Sequence, residues 1–491
     1  MYVKRKSTVL FRDYKKFGYV TDNRNYGYNK ASEKSGCVGD RILSESGAVF
    51  FSVLDREAQS LDSIVRKICN VFVDVNADDI YKDAKDFYSS LEFEGFVVCG
   101  GDSQECEDKD VGFSYEKLNN ESKEMHLFRN SLSSESSTES FLENYFEGEP
   151  QLMSLHIEII SKCNERCLHC YIPHEHKTNF IDSDLFYSVV RQGRDMNVLN
   201  LTLSGGEPLL HKDFNLFLKI CREYEFSVNV LSNLTLLDED IIEEMKLNPL
   251  LSVQTSLYSM DPNVHDNITQ VNGSFAKTKK SILNLVKNNI PLQISCPIIK
   301  QNKSSYTDVL DWAESNNIHG GDYYGILGMS NNATSNLKCR MSIDEVEDVI
   351  KNKSNLDFRY FEQLENEVEN NKDIALDDFV CSVCGSSLCV TDNGDVYPCI
   401  GWHNNVVGNL KEHPLKKIWE NSDKIRALRK VRIRDFPKCV KCEDRDFCTI
   451  CMVRNANESP TADPFESSSY FCSIAKLNKK LMREWKSQRA K

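Results

Sequence analysis

The spacing of polar and apolar residues predicts a small mixed domain over residues 1–100. Aromatic and β-branched residues first alternate with polar ones, as expected of short strands. Helical spacing of apolar residues follows in Glu45–Leu54, Leu61–Phe72 and Ala77–Phe93. The apolar stretch Phe96–Cys99 then predicts a closing strand. Small strands, three helices and a closing strand together predict a winged-helix-like module.

Residues 151–352 alternate short apolar stretches with helical patterns. Helical patterns include Phe214–Tyr224, Phe275–Asn288 and Tyr306–Ser315. Repeated strand–helix units are typical of a parallel sheet covered by helices, with functional loops at the carboxyl ends of the strands. The pattern predicts an α/β fold centred on a partial (β/α)6 parallel barrel. Its predicted strands are Leu155–Ser161, Leu199–Leu203, Ser227–Leu231, Leu251–Leu257, Leu292–Ile299 and Gly321–Ile326.

Two further segments lack this regular alternation. Residues 101–150 contain the run SLSSESSTES among acidic residues. This composition predicts an acidic, serine-rich linker, because it can bury little apolar surface. Over residues 353–491, turns and cysteines replace regular patterning. We expect this C-terminal region to depend on bound metal for its stability.

Composition narrows the class of protein. The chain has no run of about 18 apolar residues, so we expect no membrane span. The N-terminus lacks the apolar segment and cleavage site of a secretory signal, which favours a cytoplasmic location. A net charge of −14 disfavours nucleic-acid binding, because it implies no basic face. The 19 cysteines are, without an export signal, more typical of metal ligands than of disulfides.

Three of these cysteines lie in one short loop directly after the first predicted barrel strand. Cys163, Cys167 and Cys170 have the spacing C-x3-C-x2-C. Such a loop can direct three thiolates at a cubane iron–sulfur cluster and leave the fourth iron open. Closely spaced thiolates also hold structural zinc, which is the alternative that the spacing leaves open.

A glycine-rich turn, LSGGEP at Leu203–Pro208, follows the second predicted strand. Together with the cysteine loop it resembles the radical S-adenosylmethionine (SAM) superfamily, whose signature is the same cysteine spacing. The resemblance implies that a reduced 4Fe–4S cluster cleaves SAM to a 5′-deoxyadenosyl radical. It also implies that Gly205, Gly206 and Glu207 contact the methionine part of SAM. Glycine allows close backbone approach, and a carboxylate can accept hydrogen bonds from an ammonium group.

The same resemblance implies three weaker SAM contacts. His169 occupies a position where the family often places an aromatic residue near adenine, and Asn233 and Ser256 resemble polar SAM-contacting positions. A strand-end cap and a satisfied strand hydroxyl explain Asn233 and Ser256 equally well. Many relatives carry an arginine near the position of Thr269, so we expect this chain to anchor the SAM carboxylate differently.

The remaining clustered cysteines resemble the SPASM domain, the cysteine-rich extension of peptide-modifying radical SAM enzymes. Their spacings include C-x2-C, C-x9-G-x4-C and a final C-x2-C-x5-C-x2-C. The family domain holds two auxiliary 4Fe–4S clusters. The resemblance implies one ligand set of Cys381, Cys384, Cys399 and Cys451, and a second of Cys439, Cys442, Cys448 and Cys472.

Three points about this region stay open. The two residues between Cys448 and Cys451 depart from the commoner spacing of three. Paired C-x2-C motifs also hold tetrahedral zinc. Cys389 is either a spare thiol or a substitute ligand, and its spacing does not decide between them.

The N-terminal module resembles the PqqD-like peptide-recognition domains of ribosomal-peptide maturation systems. The stretch from Gly47–Phe51 through Leu61–Ile64 to Phe96–Val98 carries the likeness. Such domains bind a leader peptide as an added strand on a sheet edge. An ordinary helical domain or an oligomerisation module is the alternative.

These features together predict a radical SAM enzyme that modifies a precursor peptide with a leader sequence. We expect a thioether crosslink, with electrons from a donor such as a flavodoxin or ferredoxin. Carbon–carbon crosslinking, epimerisation and sulfatase-type maturation are alternatives within the superfamily. A non-catalytic metal-binding protein is the alternative from another class, and the SAM-type turn argues against it.

Overall fold

The structure is a computed structural model. It describes residues 1–22, 40–72, 75–110, 142, 145–146, 150–176, 179–248, 250–356, 359–372, 374–381 and 383–489. Within these ranges the strands form one sheet of nine strands and two sheets of three. The predicted α/β class with a central parallel sheet is confirmed.

The N-terminal domain combines two small antiparallel sheets, in the orders β2-β3-β4 and β5-β1-β6, with four helices in its described part. Helices α1 to α3 occupy the three segments that periodicity predicts. Their apolar faces pack around the buried side chains of Phe51, Ile64 and Tyr88. The elements are β1 (Tyr2–Arg5), β2 (Leu10–Asp13), β3 (Gly18–Thr21), β4 (Asp40–Leu43), α1 (Glu45–Ser52), β5 (Gln59–Ser60), α2 (Leu61–Cys69), α3 (Ala77–Phe93), β6 (Val97–Gly100) and α4 (Ser103–Lys109).

Helix α4 lies inside the segment that composition assigns to a linker. Its Cys106 is buried, with Sγ 3.5 Å from the carbonyl oxygen of Tyr2 in β1. Lys4 donates to Glu107 on the same helix at 2.6 Å. Packed structure therefore extends past residue 100, and most of the predicted linker (111–141, 143–144 and 147–149) lies outside the described residues.

Six parallel strands form the barrel part of the large sheet, and their spatial order is their order along the chain. Crossovers between parallel strands are right-handed, so the helices between successive neighbours all cover one face. This arrangement matches the predicted partial barrel. Its strands are β7 (Ser154–Ile160), β8 (Asn200–Gly205), β9 (Ser227–Leu231), β10 (Leu251–Ser256), β11 (Leu292–Pro297) and β12 (His319–Tyr323). Its helices are α5 (Ser183–Asp195), α6 (Phe214–Glu223), α7 (Glu239–Lys246), α8 (Pro262–Thr269), α9 (Ser274–Lys287) and α10 (Tyr306–Ser315).

The two faces of the barrel strands differ in polarity. Apolar residues at alternate positions, such as Ile157, Leu203 and Val230, are fully buried in the main core beneath the helices. Side chains at the positions between them leave the opposite face, because successive residues of a strand point to opposite sides. Those positions are polar, as in His156 and Gln254. The barrel interior is therefore lined by polar groups.

The C-terminal region holds more regular structure than its sequence pattern suggests. Three strands continue the barrel sheet beyond β7, and β13 pairs with β7 in parallel. The final helix, 21 residues long, packs Ile474, Leu477 and Leu481 against the rest of the chain. The strands are β13 (Ser387–Thr391), β14 (Asp395–Tyr397) and β15 (Gly408–Asn409). The helices are α11 (Ile343–Leu356), α12 (Tyr360–Lys372), α13 (Leu415–Asn421), α14 (Asp423–Leu428), α15 (Pro437–Val440), α16 (Met452–Glu458) and α17 (Ser469–Arg489).

Helix α17 is amphipathic rather than apolar all round. Across the described ranges, none of the helices combines the length and the apolar composition that crossing a bilayer requires.

The N-terminal domain is fastened to the barrel by buried arginines. Arg12 of β2 is fully buried and donates to the carbonyl oxygens of Val198 at 3.0 Å and Glu225 at 2.7 Å. Arg5 of β1 pairs with the Glu225 carboxylate. Burial lowers the pKa of Arg12 to about 9, so its guanidinium stays charged at neutral pH. Hydrogen bonds to these carbonyls compensate for the burial of that charge.

Replacing Arg12 tests this junction. Arg12→Ala leaves two buried carbonyl oxygens without a donor and should lower the free energy of unfolding by about 3 kcal/mol. Thermal and urea denaturation measure the change. Arg66→Ala, at an exposed arginine of α2, is the matched control, with an expected change of less than about 0.5 kcal/mol. Equal stability of the two variants would contradict a structural role for Arg12.

Candidate functional site

The three-cysteine loop follows β7 and is held by backbone hydrogen bonds to helix α8. Arg166 N donates to the carbonyl oxygen of Thr269, and Leu168 N to that of Ile268, both at 3.0 Å. Thr269 is buried, and its hydroxyl lies 2.7 Å from Ser274 Oγ. At the position where relatives often carry arginine, this chain therefore has a residue that supports the loop through its carbonyl group.

The thiols of this loop lie close to one another. Cys163, Cys167 and Cys170 are all partly exposed. The pKa of Cys167 is well above its ordinary value, first because its thiol is buried and then because Glu165, Cys170 and Cys163 carry negative charge nearby. The structure therefore brings the three predicted ligands together in one loop.

The glycine turn at the end of β8 packs directly on this loop. Gly206 N donates to the carbonyl oxygen of Ile160 at 2.7 Å, and Glu207 N to that of Lys162 at 2.9 Å. Gly205 has a φ of +129°, and a Cβ there would lie 1.9 Å from the oxygen of Ile160. A Cβ on Gly206 would lie 2.2 Å from the oxygen of Lys162. Only glycine fits at both positions, because any side chain would collide with the strand leading into the cysteine loop.

The Glu207 carboxylate stabilises the turn by accepting hydrogen bonds. Its Oε1 accepts from Leu209 N at 2.9 Å and from Ser232 Oγ at 2.7 Å, and Oε2 accepts from Asn233 N at 2.7 Å. Burial nevertheless raises the pKa of the Glu207 carboxyl to about 7. Asn233 also donates through its side chain to Asn164 of the cysteine loop at 2.8 Å. The carboxyl thus joins the ends of β8 and β9 beside the cysteine loop.

Tyr258 is a site residue that the sequence analysis missed. Its hydroxyl lies 2.9 Å from His169 Nε2 and 3.9 Å from Cys167 Sγ. Ser256 hydrogen-bonds to Tyr258 as well, so two of the predicted SAM contacts share this phenol. Burial is the main reason that the pKa of Tyr258 lies well above its ordinary value. Its place two residues after β10, at the carboxyl edge of the sheet, is the signal that could have identified it.

The cysteines of the first predicted set lie close enough to influence one another's pKa. Cys381, Cys399 and Cys451 each raise the pKa of at least one other member of the set, after the larger effect of burial. Cys384, which is buried, is affected by the charges of Cys399 and Cys381. The set therefore joins residues that are as much as 70 positions apart, from Cys381 to Cys451.

The cysteines of the second predicted set likewise lie within electrostatic reach of one another. Burial raises the pKa of Cys448 to about 11, and the charges of Cys472, Cys439 and Cys442 contribute. Cys442 and Cys472 are exposed, so this set lies nearer the surface. In the described ranges, no group of three or more His, Cys, Asp or Glu side chains has the geometry to hold a metal ion, and the ligand roles stay predictions.

Cys389 lies between the first set and the barrel interior. Its thiol is buried on β13, where the charges of Glu158 and Cys399 add to the effect of burial and raise its pKa well above the ordinary value. Cys389 is paired in register with His156 of β7. Cys389 therefore lies beside the first set, and whether it is a spare thiol or a ligand stays a prediction.

Comparison with known proteins identifies two sequence families that match parts of this chain. The sequence profile of the Radical SAM superfamily matches residues 157–313, from β7 to α10. The chain therefore contains a radical SAM domain. The profile of the SPASM iron–sulfur cluster-binding domain matches residues 381–443, which include Cys381, Cys384, Cys399, Cys439 and Cys442. This radical SAM enzyme therefore has domains for SAM and for 4Fe–4S clusters.

Its curated relatives are similar at moderate identity. AdoMet-dependent heme synthase of Methanosarcina barkeri is 24% identical over 347 residues, covering 64% of this chain and 94% of the relative. The antilisterial bacteriocin subtilosin biosynthesis protein AlbA of Bacillus subtilis is 24% identical over 324 residues, covering 62% and 69%. PqqA peptide cyclase of Xanthomonas axonopodis pv. citri is 24% identical over 339 residues, covering 64% and 87%.

Solved structures share the fold of this radical SAM enzyme. Streptococcus suis SuiB bound to precursor peptide SuiA superposes with a TM-score of 0.59 at 16% identity, covering 95% of this chain and 99% of SuiB. Native anSMEcpe with bound AdoMet and Cp18Cys peptide gives 0.51 at 18% identity, covering 67% and 96%. The likeness to SuiB extends over nearly the whole chain, whereas the likeness to anSMEcpe covers two thirds of it.

The number and chemistry of the cysteine ligands, rather than their side-chain geometry, fit the cofactors that the family implies. Cys163, Cys167 and Cys170 would hold the SAM-binding cluster, because thiolates suit iron–sulfur clusters and three of them leave one iron for SAM. The tight glycine turn beside them offers backbone groups at close range. The two four-cysteine sets have the ligand number that a 4Fe–4S cluster takes.

The raised pKa of Glu207 predicts a pH effect on stability. An unfolded glutamate titrates near about 4.3 and the folded one at about 7, so the folded chain binds more protons between these values. Stability of the cofactor-free protein should therefore fall as pH rises from about 5 to 7, by about 2 kcal/mol from this group.

Urea denaturation across that pH range measures this contribution. Glu207→Gln should remove the slope, even though its absolute stability is lower. The matched control is Glu243→Gln, which removes an exposed carboxyl from α7 and should keep the wild-type slope. A wild-type slope in Glu207→Gln would show that this carboxyl is not the titrating group.

Paired cysteine variants test the ligand assignment. Cys399→Ala should lose about four irons after anaerobic reconstitution, because one auxiliary cluster loses a ligand. Cys389→Ala, ten residues away and beside the same set, should keep the wild-type iron content. Iron and sulfide analysis with the visible spectrum measures both. If only Cys389→Ala loses iron, then Cys389 is the cluster ligand and Cys399 is the spare thiol.

Proposed function

We propose that this radical SAM enzyme modifies a ribosomally made precursor peptide, and that it forms a thioether crosslink between a cysteine and another residue. The observation that carries the proposal is the combination of a SAM-type barrel with two further four-cysteine sets and a separate N-terminal domain. The barrel and the cysteine sets provide for radical formation and net oxidation. The N-terminal domain provides for holding a peptide away from the reacting centre.

Several relatives support a peptide substrate. AlbA is named for subtilosin biosynthesis, and SkfB of Bacillus subtilis, 29% identical over 164 residues, is named as the sporulation killing factor maturation protein. The fold likeness to SuiB, solved with its precursor peptide, covers 95% of this chain and so includes most of the N-terminal domain.

The N-terminal domain offers an edge for a leader peptide. β4 pairs with β3 on one side and, among the described strands, has no partner on the other. Asp40, Arg41 and Ile42 of this strand are half-buried. An extended peptide could add there as a further strand, because backbone hydrogen bonds give general affinity to such edges. We therefore propose β4 as the edge that would bind a leader peptide in a PqqD-like role.

The chain's own residues prepare the barrel for radical chemistry. Cys163, Cys167 and Cys170 would hold a 4Fe–4S cluster, which together with SAM would supply the 5′-deoxyadenosyl radical for removing a hydrogen atom from the peptide. Gly205 and Gly206 let the backbone approach the methionine part of SAM closely. Thr269 and Asn233 hold the cysteine loop in place, and the polar barrel interior receives the peptide.

A thioether is the favoured product, because its formation removes two electrons from the peptide. One leaves with the abstracted hydrogen atom, and the other needs an acceptor, for which the auxiliary sets are suited. A flavodoxin or ferredoxin would supply the electron that cleaves SAM. Epimerisation involves no net oxidation, so two auxiliary clusters favour it less.

Anaerobic reconstitution tests the proposal. The reduced protein should release 5′-deoxyadenosine from SAM, and Cys163→Ala should release none because the SAM-binding cluster loses a ligand. With a short cysteine-containing peptide encoded beside its gene, the protein should yield a product lighter by two hydrogen atoms. Alkylation should show one cysteine fewer in that product.

Each other outcome has a distinct meaning. A lighter product with all cysteines still free for alkylation would indicate a carbon–carbon crosslink. An unchanged mass with an inverted residue would indicate epimerisation. Zinc in place of iron, with no 5′-deoxyadenosine, would overturn the radical SAM function itself.

A further inference from the structure

The barrel interior contains a buried ionised group on the first strand. Leu155, Ile157 and Ile159 of β7 pack in the main core beneath the helices. Glu158 therefore projects from the opposite face, into the barrel, and only 3% of it is exposed. Burying a carboxylate is costly unless other groups compensate its charge.

Glu158 is held by two side chains from different parts of the chain. Tyr171, which follows the cysteine loop directly, donates from its hydroxyl to Glu158 Oε1 at 3.3 Å. His403, from the loop after β14, places Nε2 3.2 Å from Oε2 and 3.3 Å from Oε1. The His403 ring packs on Tyr397, with ring centres 4.9 Å apart. The pair is thus fixed rather than left free to move.

The charges of this pair can be assigned from its surroundings. Burial alone would lower the pKa of His403, but the charge and hydrogen bond of Glu158 raise it overall. Burial would raise the pKa of Glu158, but His403 and Tyr171 lower it overall. Glu158 and His403 therefore form an ion pair.

The other titratable groups around the pair do not carry a compensating charge. Burial lowers the pKa of His156 to about 4, so this ring is neutral. Burial likewise raises the pKa values of Cys389 and Tyr397, which stay protonated. Asp392 lies nearby on the β13–β14 turn, and burial raises its pKa.

The pair lies between the two kinds of cysteine set. Tyr171 connects Glu158 to the loop of Cys170. On the other side, the thiol of Cys389 interacts with both Glu158 and Cys399. A group that spans these two sites lies where a peptide would meet both the radical source and the electron acceptor.

The proposed reaction, on which this inference rests, needs a proton acceptor. Crosslinking breaks one C–H and one S–H bond of the peptide and forms one C–S bond. The hydrogen atom from carbon goes to the 5′-deoxyadenosyl radical and gives 5′-deoxyadenosine. The remaining electron goes to an oxidised auxiliary 4Fe–4S cluster, and the remaining proton must go to a base.

We propose that Glu158 is the base that accepts this proton in the barrel, and that His403 is the positioning residue that orients it. The carboxylate is buried, charged and on the barrel-facing side of β7, and it lies beside the set that would take the electron. Protonation of Glu158 adds a positive charge as that set gains a negative one. The buried region then keeps its net charge, which avoids the cost of an uncompensated charge.

Glu158→Gln tests the proposal on the peptide that the wild type modifies. The variant should still form 5′-deoxyadenosine, because hydrogen abstraction precedes proton loss. Crosslinked product should fall about 100-fold, as expected when a general base is removed. The ratio of 5′-deoxyadenosine to crosslinked peptide, near one for the wild type, should rise by the same factor.

Asp322→Asn is the matched control. It removes another carboxylate of the same sheet, on β12, together with its ion pair to Lys353. It should keep the wild-type ratio. Iron content and the visible spectrum should be unchanged in both variants, which separates a catalytic loss from failed folding or cluster assembly.

His403 needs a readout that a merely structural role would not change. His403→Gln removes the positive charge that lowers the pKa of Glu158, so the acid limb of product formation should move to higher pH. In the full-length protein without cofactors, labelled with ¹⁵N-histidine, Glu158→Gln should lower the pKa of His403. An unmoved His403 pKa would show that the two groups do not form the ion pair.

The failures are distinguishable. Suppose that Glu158→Gln keeps its iron but forms neither 5′-deoxyadenosine nor crosslinked peptide. Glu158 then acts in SAM cleavage, and the proposal is wrong. If the variant makes product at the wild-type rate, it is also wrong. If the wild type modifies no peptide, the proposed function fails, and the need for a proton acceptor fails with it.

Discussion

The parallel pairing of β7 with β13 is the contact on which the rest of the site depends. β7 lies between β8 and β13 in the nine-stranded sheet, so one strand belongs to the SAM-type barrel and to the cysteine-rich region at once. Backbone hydrogen bonds between strands do not depend on side-chain identity. They set the distance between the three-cysteine loop and the first four-cysteine set more firmly than any single side-chain contact could.

Buried charge recurs where the chain joins its parts. Arg12 is buried where the N-terminal domain meets the barrel, Glu207 where the glycine turn meets β9, and Glu158 where the barrel meets the C-terminal region. Each is compensated differently: by carbonyl oxygens for Arg12, by two backbone N–H groups and a hydroxyl for Glu207, and by an imidazolium for Glu158. Such groups fix one relative arrangement, because a shifted contact would leave a charge without its partner.

The sequence predicts the local parts of this fold well. The strand positions of β7 to β11 and the helices α6, α9 and α10 follow from apolar spacing, which is a local signal. The last barrel strand is less well placed: the pattern favours Gly321–Ile326, whereas β12 spans His319–Tyr323. Its register is set by pairing with β11, and the glycines that begin it have no apolar signature.

What the sequence does not predict is the set of contacts between distant segments. β7 and β13 are more than 200 residues apart, and the sequence of neither strand identifies its pairing partner. The Glu158–His403 pair depends on that strand pairing. Neither residue carries a local sequence signal, so the sequence analysis does not predict the pair. Tyr258 is missed for a different reason: a buried aromatic residue after a strand is usually core, and only its hydroxyl contacts distinguish it.

The buried arginine junction has a consequence for which peptides can be processed. Arg12 and Arg5 each lock one of the two N-terminal sheets to the barrel. The distance from these sheets to the barrel mouth is therefore constant. A peptide gripped at one end and altered at the other must bridge this distance with its own backbone. In the proposed function, this junction would select the reacting residue by how many positions separate it from the gripped segment, as well as by what it is.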